Sequence, residues 1–137
     1  MANRTALVVE DSATMRHLIS FALRRVPGLA FVEAENGQEA LELLEKRDVD
    51  LILLDLNMPV MNGFGFLERL AARDKPMPPV VVITTEGAQP DIDQAFELGA
   101  KAYVTKPVQA ASLSETIARV LAGDLDGSVD VDDEGEL

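Results

Sequence analysis

Four apolar runs in this chain end in side chains that can do chemistry. "ALVVED" (6–11) ends on Glu10 and Asp11, "DLILLD" (50–55) on Asp55, "PVVVITT" (79–85) on Thr84 and Thr85, and "KAYVTK" (101–106) on Lys106. Carboxylates gathered in one crevice repel each other unless a cation sits among them. A small number of oxygen ligands suits Mg²⁺, which keeps several waters and favours phosphate oxygens. A hydroxyl (Thr84) and an ammonium (Lys106) suit a phosphoryl group, which is bound by donors and positive charge. Together these groups describe phosphoryl transfer to a carboxylate, a recognised kind of covalent intermediate. Taken singly, each residue has a plainer reading. Glu10 and Asp11 suit a helix N-terminus, Asp55 a turn, Thr84 a strand, and Lys106 a solvated surface. The constellation outweighs these readings because every member follows a strand-like apolar run.

Those runs must belong to elements that bring the side chains together. Strand-length segments alternate with segments of helical period, predicting strands over 6–10, 30–35, 50–55, 79–85 and 101–105. Helices are predicted over 13–26, 38–47, 64–74, 91–99 and 112–123. Such alternation implies a parallel sheet with helices on both faces. The first, third and fourth strands are continuous apolar runs, as expected of strands buried on both faces. The second and fifth are mixed, carrying Glu33 and Glu35, and Lys101 and Tyr103, so they belong at the edges. The order 2-1-3-4-5 satisfies this with right-handed crossovers. The fold class is therefore α/β, a flavodoxin-like (βα)5 doubly wound parallel sheet. Its ligand crevice lies beyond the carboxyl ends of the strands, at the switch between strands 1 and 3.

Composition narrows the function. With 137 residues the chain is long enough for one core, and at 47% apolar it is globular. It has no cysteine, no apolar run long enough for a bilayer span and no secretory h-region, which fits a cytoplasmic protein without membrane attachment. The net charge is −12, but residues 123–137, "GDLDGSVDVDDEGEL", hold seven acids and no base. Residues 1–122 form the folded domain and 123–137 an acidic, disordered tail. Neither part has the basic patch that direct nucleic-acid binding needs. "DVDDEG" in the tail resembles the start of a Ca²⁺ loop, but the final acid and the flanking helices are missing.

The segments "VVEDS", "LLDLNMPVMNG", "VVVITTEG" and "GAKAYVTKP", in this order and spacing, resemble the receiver domain of two-component response regulators, most closely the chemotaxis-type, single-domain form. The resemblance covers about residues 4–122 and implies a role for each matching position. Asp55 is the phosphoacceptor. Glu10 and Asp11 are the acidic pair that positions Mg²⁺, with Asp11 the direct ligand, and Asn57 lends its main-chain carbonyl. Lys106 pairs with the carboxylate and then with the phosphoryl group. Thr84 is the switch hydroxyl and Tyr103 the aromatic switch, and the Lys106–Pro107 bond is cis. The phosphoryl group comes from a phosphohistidine on a sensor histidine kinase or a histidine phosphotransfer protein. Three positions depart from the commonest pattern: Glu10 where Asp is usual, Thr85 where a smaller residue is frequent, and Val108 where Phe is frequent.

A physical switch follows from these roles. Phosphorylation adds about −1.5 to −2 charges and strong acceptor oxygens. Thr84 moves toward the group, and Tyr103, otherwise a half-buried edge residue, turns inward. The face made by helix 4, strand 5 and helix 5 then changes shape for an output protein, or for a second copy in a phosphorylation-dependent homodimer. Two other functions compete. A Mg²⁺-dependent phosphatase or phosphotransferase acting through Asp55 needs a general acid two residues on, where this chain has Asn57. A flavodoxin-like cofactor binder needs a phosphate cradle in the first loop, where this chain has an acidic pair. His17, the only histidine, reads as a solvated or partly packed helix residue, and Met58, Pro59 and Gly63 as shapers of the turn after Asp55.

Overall fold

The computed structural model describes residues 4–56, 62–85 and 89–123. Five strands, β1 (Arg4–Val9), β2 (Leu29–Ala34), β3 (Leu51–Asp55), β4 (Val80–Thr85) and β5 (Ala102–Lys106), alternate with five helices. The helices are α1 (Ala13–Leu23), α2 (Gly37–Lys46), α3 (Gly63–Ala71), α4 (Gln89–Glu97) and α5 (Ala110–Leu121). All four strand pairings are parallel, and the order is β2-β1-β3-β4-β5. This is the predicted doubly wound sheet.

Side chains alternate across a strand, and here each face meets its own apolar layer. Leu7, Val9, Ile52, Leu54, Val80 and Val82 pack with Leu44, Phe66, Leu67 and Ile92 on the side of α2, α3 and α4. Ala6, Val8, Leu51, Leu53, Val81 and Ile83 pack with Ile19, Leu23, Leu113 and Ile117 on the side of α1 and α5. β3 serves both layers, so all five of its residues are buried. Each of its leucines contributes about 1.5–3 kcal/mol on burial. That gain offsets the cost of carrying a carboxylate to the end of the same strand.

Polar caps set where α1, α2 and α3 begin. Ser12 Oγ accepts from the Met15 N–H at 3.2 Å, Asn36 Oδ1 from Glu39 at 2.8 Å, and Asn62 Oδ1 from Gly65 at 3.0 Å. Each satisfies a first-turn donor that the helix leaves open. Gly63 sits where a Cβ would lie 2.7 Å from Leu56 Cα, so only glycine lets α3 start this close to the end of β3.

Element ends shift by a few residues. The predicted helix 13–26 stops at Leu23, and Arg25 and Val26 close tighter turns onto Ala22 and Leu23. Gly28 follows at φ 77°, a conformation open to glycine. The predicted helix 64–74 stops at Ala71, ahead of a segment with prolines at 76, 78 and 79 that does not suit a helix. α4 begins at Gln89 rather than 91, with Pro90 tolerated in its first turn. β5 includes Lys106, one residue further than predicted. It is an edge strand in its hydrogen bonding, but Ala102, Tyr103 and Val104 are buried because helices cover both its faces. No helix among the described residues is long and apolar enough to cross a membrane. The predicted acidic tail lies outside the described residues from 124 onward.

Candidate functional site

The carboxyl ends of β1, β3 and β5 bring Glu10, Asp11, Asp55 and Lys106 to one rim. Glu10 follows the last residue of β1, and its N–H still donates to Ala34 O at 3.0 Å. Asp55 is the last residue of β3, in register with Ile83 of β4. Lys106 is the last residue of β5, in register with Thr85. Asp55 and Lys106 share the strand parity of Leu53 and Val104, which belong to the α1 and α5 layer. Lys106 therefore reaches across the end of β4, and its Nζ lies 3.4 Å from Asp55 Oδ1.

Glu10, Asp11 and Asp55 each offer a carboxylate oxygen within 4.8 Å of the others. Glu10 and Asp55 are each 1% exposed, whereas Asp11 is open to solvent. Glu10 Oε2 accepts from the Ser12 N–H at 3.1 Å, and its Oε1 is buried with no hydrogen-bond partner among the described residues. Burial raises the Glu10 carboxyl from its ordinary 4.5 to about 7, and the neighbouring charge of Asp55 adds to the rise. The Ser12 N–H and the Lys106 ammonium pull in the other direction. A buried carboxylate with an oxygen lacking a described donor, clustered with two further carboxylates, is the environment a hard divalent cation relieves. The residues present fit Mg²⁺: three carboxylate oxygens of suitable chemistry, one of them on the exposed Asp11.

Thr84 lies at the same rim on β4, in register with Thr105. It is 0% exposed, and its hydroxyl has no hydrogen-bond partner among the described residues. Tyr103 differs from its expected half-burial. It is 4% exposed and sits in the layer facing α4, its ring edge-on to Phe96 at a centroid separation of 6.0 Å. The inward turn expected of it is thus the position it already holds, because α4 covers this face of the edge strand. Val108 is buried in the opposite layer, with Ile117 and Val120, and does not belong to the packing of Tyr103. The Lys106–Pro107 peptide is cis. Asn57, Met58 and Pro59 lie outside the described residues, as does the side chain of Thr85. His17 is exposed on α1.

Sequence reasoning missed Arg16. Its guanidinium joins the main chain of Glu10 to Glu33 of β2 and to Glu35 just beyond that strand. The signal was a base one turn past a helix cap, beside an edge strand with two acids at period two. Among the chain's twelve lysines and arginines, Arg16 and Lys106 alone stand at the carboxyl rim; the other ten lie at strand starts, at helix carboxyl ends or just beyond them.

The family model described as response regulator receiver domain matches residues 6–118. A protein-glutamate methylesterase/protein-glutamine glutaminase of Caulobacter vibrioides is 43% identical over 125 residues, which are 89% of this chain and 36% of that protein. The chain thus spans about a third of this relative. A chemotaxis protein CheY homolog of Campylobacter jejuni is 38% identical over 117 residues, covering 84% of this chain and 90% of the relative. Among solved structures, the chemotaxis response regulator CheY4 of Vibrio cholerae superposes with a TM-score of 0.78 at 32% identity, covering 88% of this chain and 98% of that one.

Proposed function

This chain belongs to the response regulator receiver domain family of two-component signalling, and we propose that Asp55 is the side chain on which it accepts a phosphoryl group. The observation that supports this most is the convergence at Asp55: a buried carboxylate with an ammonium 3.4 Å away and two further acids beside it. The donor is a phosphohistidine on a sensor histidine kinase or a histidine phosphotransfer protein. Glu10, Asp11 and Asp55 would hold Mg²⁺, with the main-chain carbonyl of Asn57 as the further ligand that the family resemblance implies. When bound, that ion supplies the positive charge that lets carboxylates and phosphoryl oxygens share one crevice.

An oxygen of Asp55 forms the new bond to phosphorus as the bond from phosphorus to the donor imidazole breaks. The imidazole nitrogen keeps the electron pair, and the product is an acyl phosphate on the protein. Lys106, paired with the carboxylate beforehand, moves its charge to a phosphoryl oxygen. Thr84 donates its buried hydroxyl to another. Thr84 leaves space in the layer it shares with Tyr103, and close packing there requires a response. Tyr103 answers through its contact with Phe96, so the face of α4, β5 and α5 changes for an output protein or a second copy. Likeness to chemotaxis proteins of Campylobacter jejuni and Vibrio cholerae favours an output of that kind.

The chain acts as a switch rather than on an external substrate, since Asn57 stands where a phosphatase of this geometry needs a proton-donating acid. Residues 1–122 carry the switch, and the acidic segment 123–137 is separate from it. Incubation with a small phosphodonor and Mg²⁺ should label the wild type and leave Asp55→Asn unlabelled. Undiminished labelling of Asp55→Asn would overturn the assignment.

A further inference from the structure

The geometry points to Arg16 as the residue that positions the acidic pair for the cation, an inference that rests on the metal-site reading above. β1 pairs with its neighbours only as far as Val9. The carbonyl of Glu10 therefore lies beyond the end of the ladder. Arg16 supplies its donor: Nη1 reaches Glu10 O at 2.8 Å. The same guanidinium is held from the other side, with Nε 3.3 Å from Glu33 Oε1 and Nη2 3.9 Å from Glu35 Oε2. The Arg16 side chain is 15% exposed, which shields these bonds in part from water.

A planar guanidinium hydrogen-bonded at Nη1 and ion-paired through its other nitrogens is restrained on two sides. It ties the first turn of α1 to the end of β1 and to β2. Ser12 completes the arrangement, because its N–H holds Glu10 Oε2 at 3.1 Å while its hydroxyl caps α1. The main chain of Glu10 is fixed by Arg16 and its carboxylate by Ser12. Asp11, next along the chain, inherits its direction from that fixed peptide. Groups that orient metal ligands without touching the metal set affinity by holding those ligands in place.

Charge and position make opposite forecasts for Arg16. A positive charge on the main chain of Glu10 disfavours a second cation nearby, so its removal should tighten Mg²⁺ binding if charge alone mattered. If position matters, removal loosens binding despite the lost repulsion. The test uses the full chain, metal-free, titrated with Mg²⁺ by calorimetry. Amide shifts of Glu10 and Asp11 are followed in parallel, and thermal midpoints are recorded. Arg16→Ala should raise the Mg²⁺ dissociation constant about tenfold, and Arg16→Lys, which keeps the charge and one donor, should recover part of the loss. Ile117→Val, far from the rim in the α1 and α5 layer, should lower the midpoint without moving the dissociation constant. An unchanged or smaller dissociation constant in Arg16→Ala would sink the inference while leaving the metal site intact. Should that variant fail to fold, Arg16→Gln and Arg16→Lys decide the matter, with unchanged affinity in both counting against it. Absence of saturable binding by the wild type overturns the metal site and the inference with it.

Discussion

Leu53 and Phe66 in the two apolar layers are fully enclosed and surrounded by groups of their own kind. At the carboxyl ends of the strands, Glu10 and Thr84 are enclosed just as deeply, yet each keeps a polar atom without a partner among the described residues. An unpaired buried polar group costs about 1–3 kcal/mol, so the rim is maintained at the expense of what the layers supply. The difference teaches where each property resides. Stability comes from layers that are complete in themselves, and ligand chemistry from a rim that the protein leaves incomplete.

Mutation can break this contrast, and the largest effect belongs to the layers. Leu53→Ala should destabilise the protein by about 2–5 kcal/mol in urea unfolding, by removing packing atoms the site cannot replace. Equal stability to the wild type would mean that β3 is not the shared centre of both layers.

At the rim the sign should reverse. The folded state holds the Glu10 proton up to about 7 against an ordinary 4.5, so it binds more protons than the unfolded chain between those values. Its stabilising contribution is complete below about 4.5 and is lost as pH rises through 7. Metal-free Glu10→Gln should therefore be more stable than the wild type at pH 8, by about 1–3 kcal/mol. It should also lack the fall in stability between pH 4.5 and 7. Parallel pH profiles for the two proteins would show that the burial of Glu10 carries no strain. The smallest effect sharpens the boundary between the regions. Asn62→Ala removes a satisfied cap on α3 and should cost about 1 kcal/mol, measurable as a lower urea midpoint at unchanged slope.

Much of this contrast was legible in the residue order. Continuous apolar runs identified β1, β3 and β4, and mixed ones identified the edges, because burial on two faces leaves no room for alternation. The same runs pointed to Glu10, Asp55, Thr84 and Lys106 as strand ends. What escaped was whatever depends on a neighbour in space. Tyr103 reads as an edge residue, yet α4 covers it, and no local pattern states how far a helix overhangs. Arg16 is an ordinary basic residue until the end of β2 comes beside it. The ends of α1 and α3 were overextended because Val26 and the residues after Ala71 continue the helical composition while the chain already turns.

The uneven placement of cations has one more consequence. With ten of twelve bases at the foot of the sheet, and only Arg16 and Lys106 near the carboxylates of the crevice at its head, the crevice rim keeps a net negative field. Such a field extends about 10 Å into solution at 0.1 M salt. A charged visitor therefore begins to rotate toward one end before any surfaces meet, and dilute buffers should make that choice faster than concentrated ones.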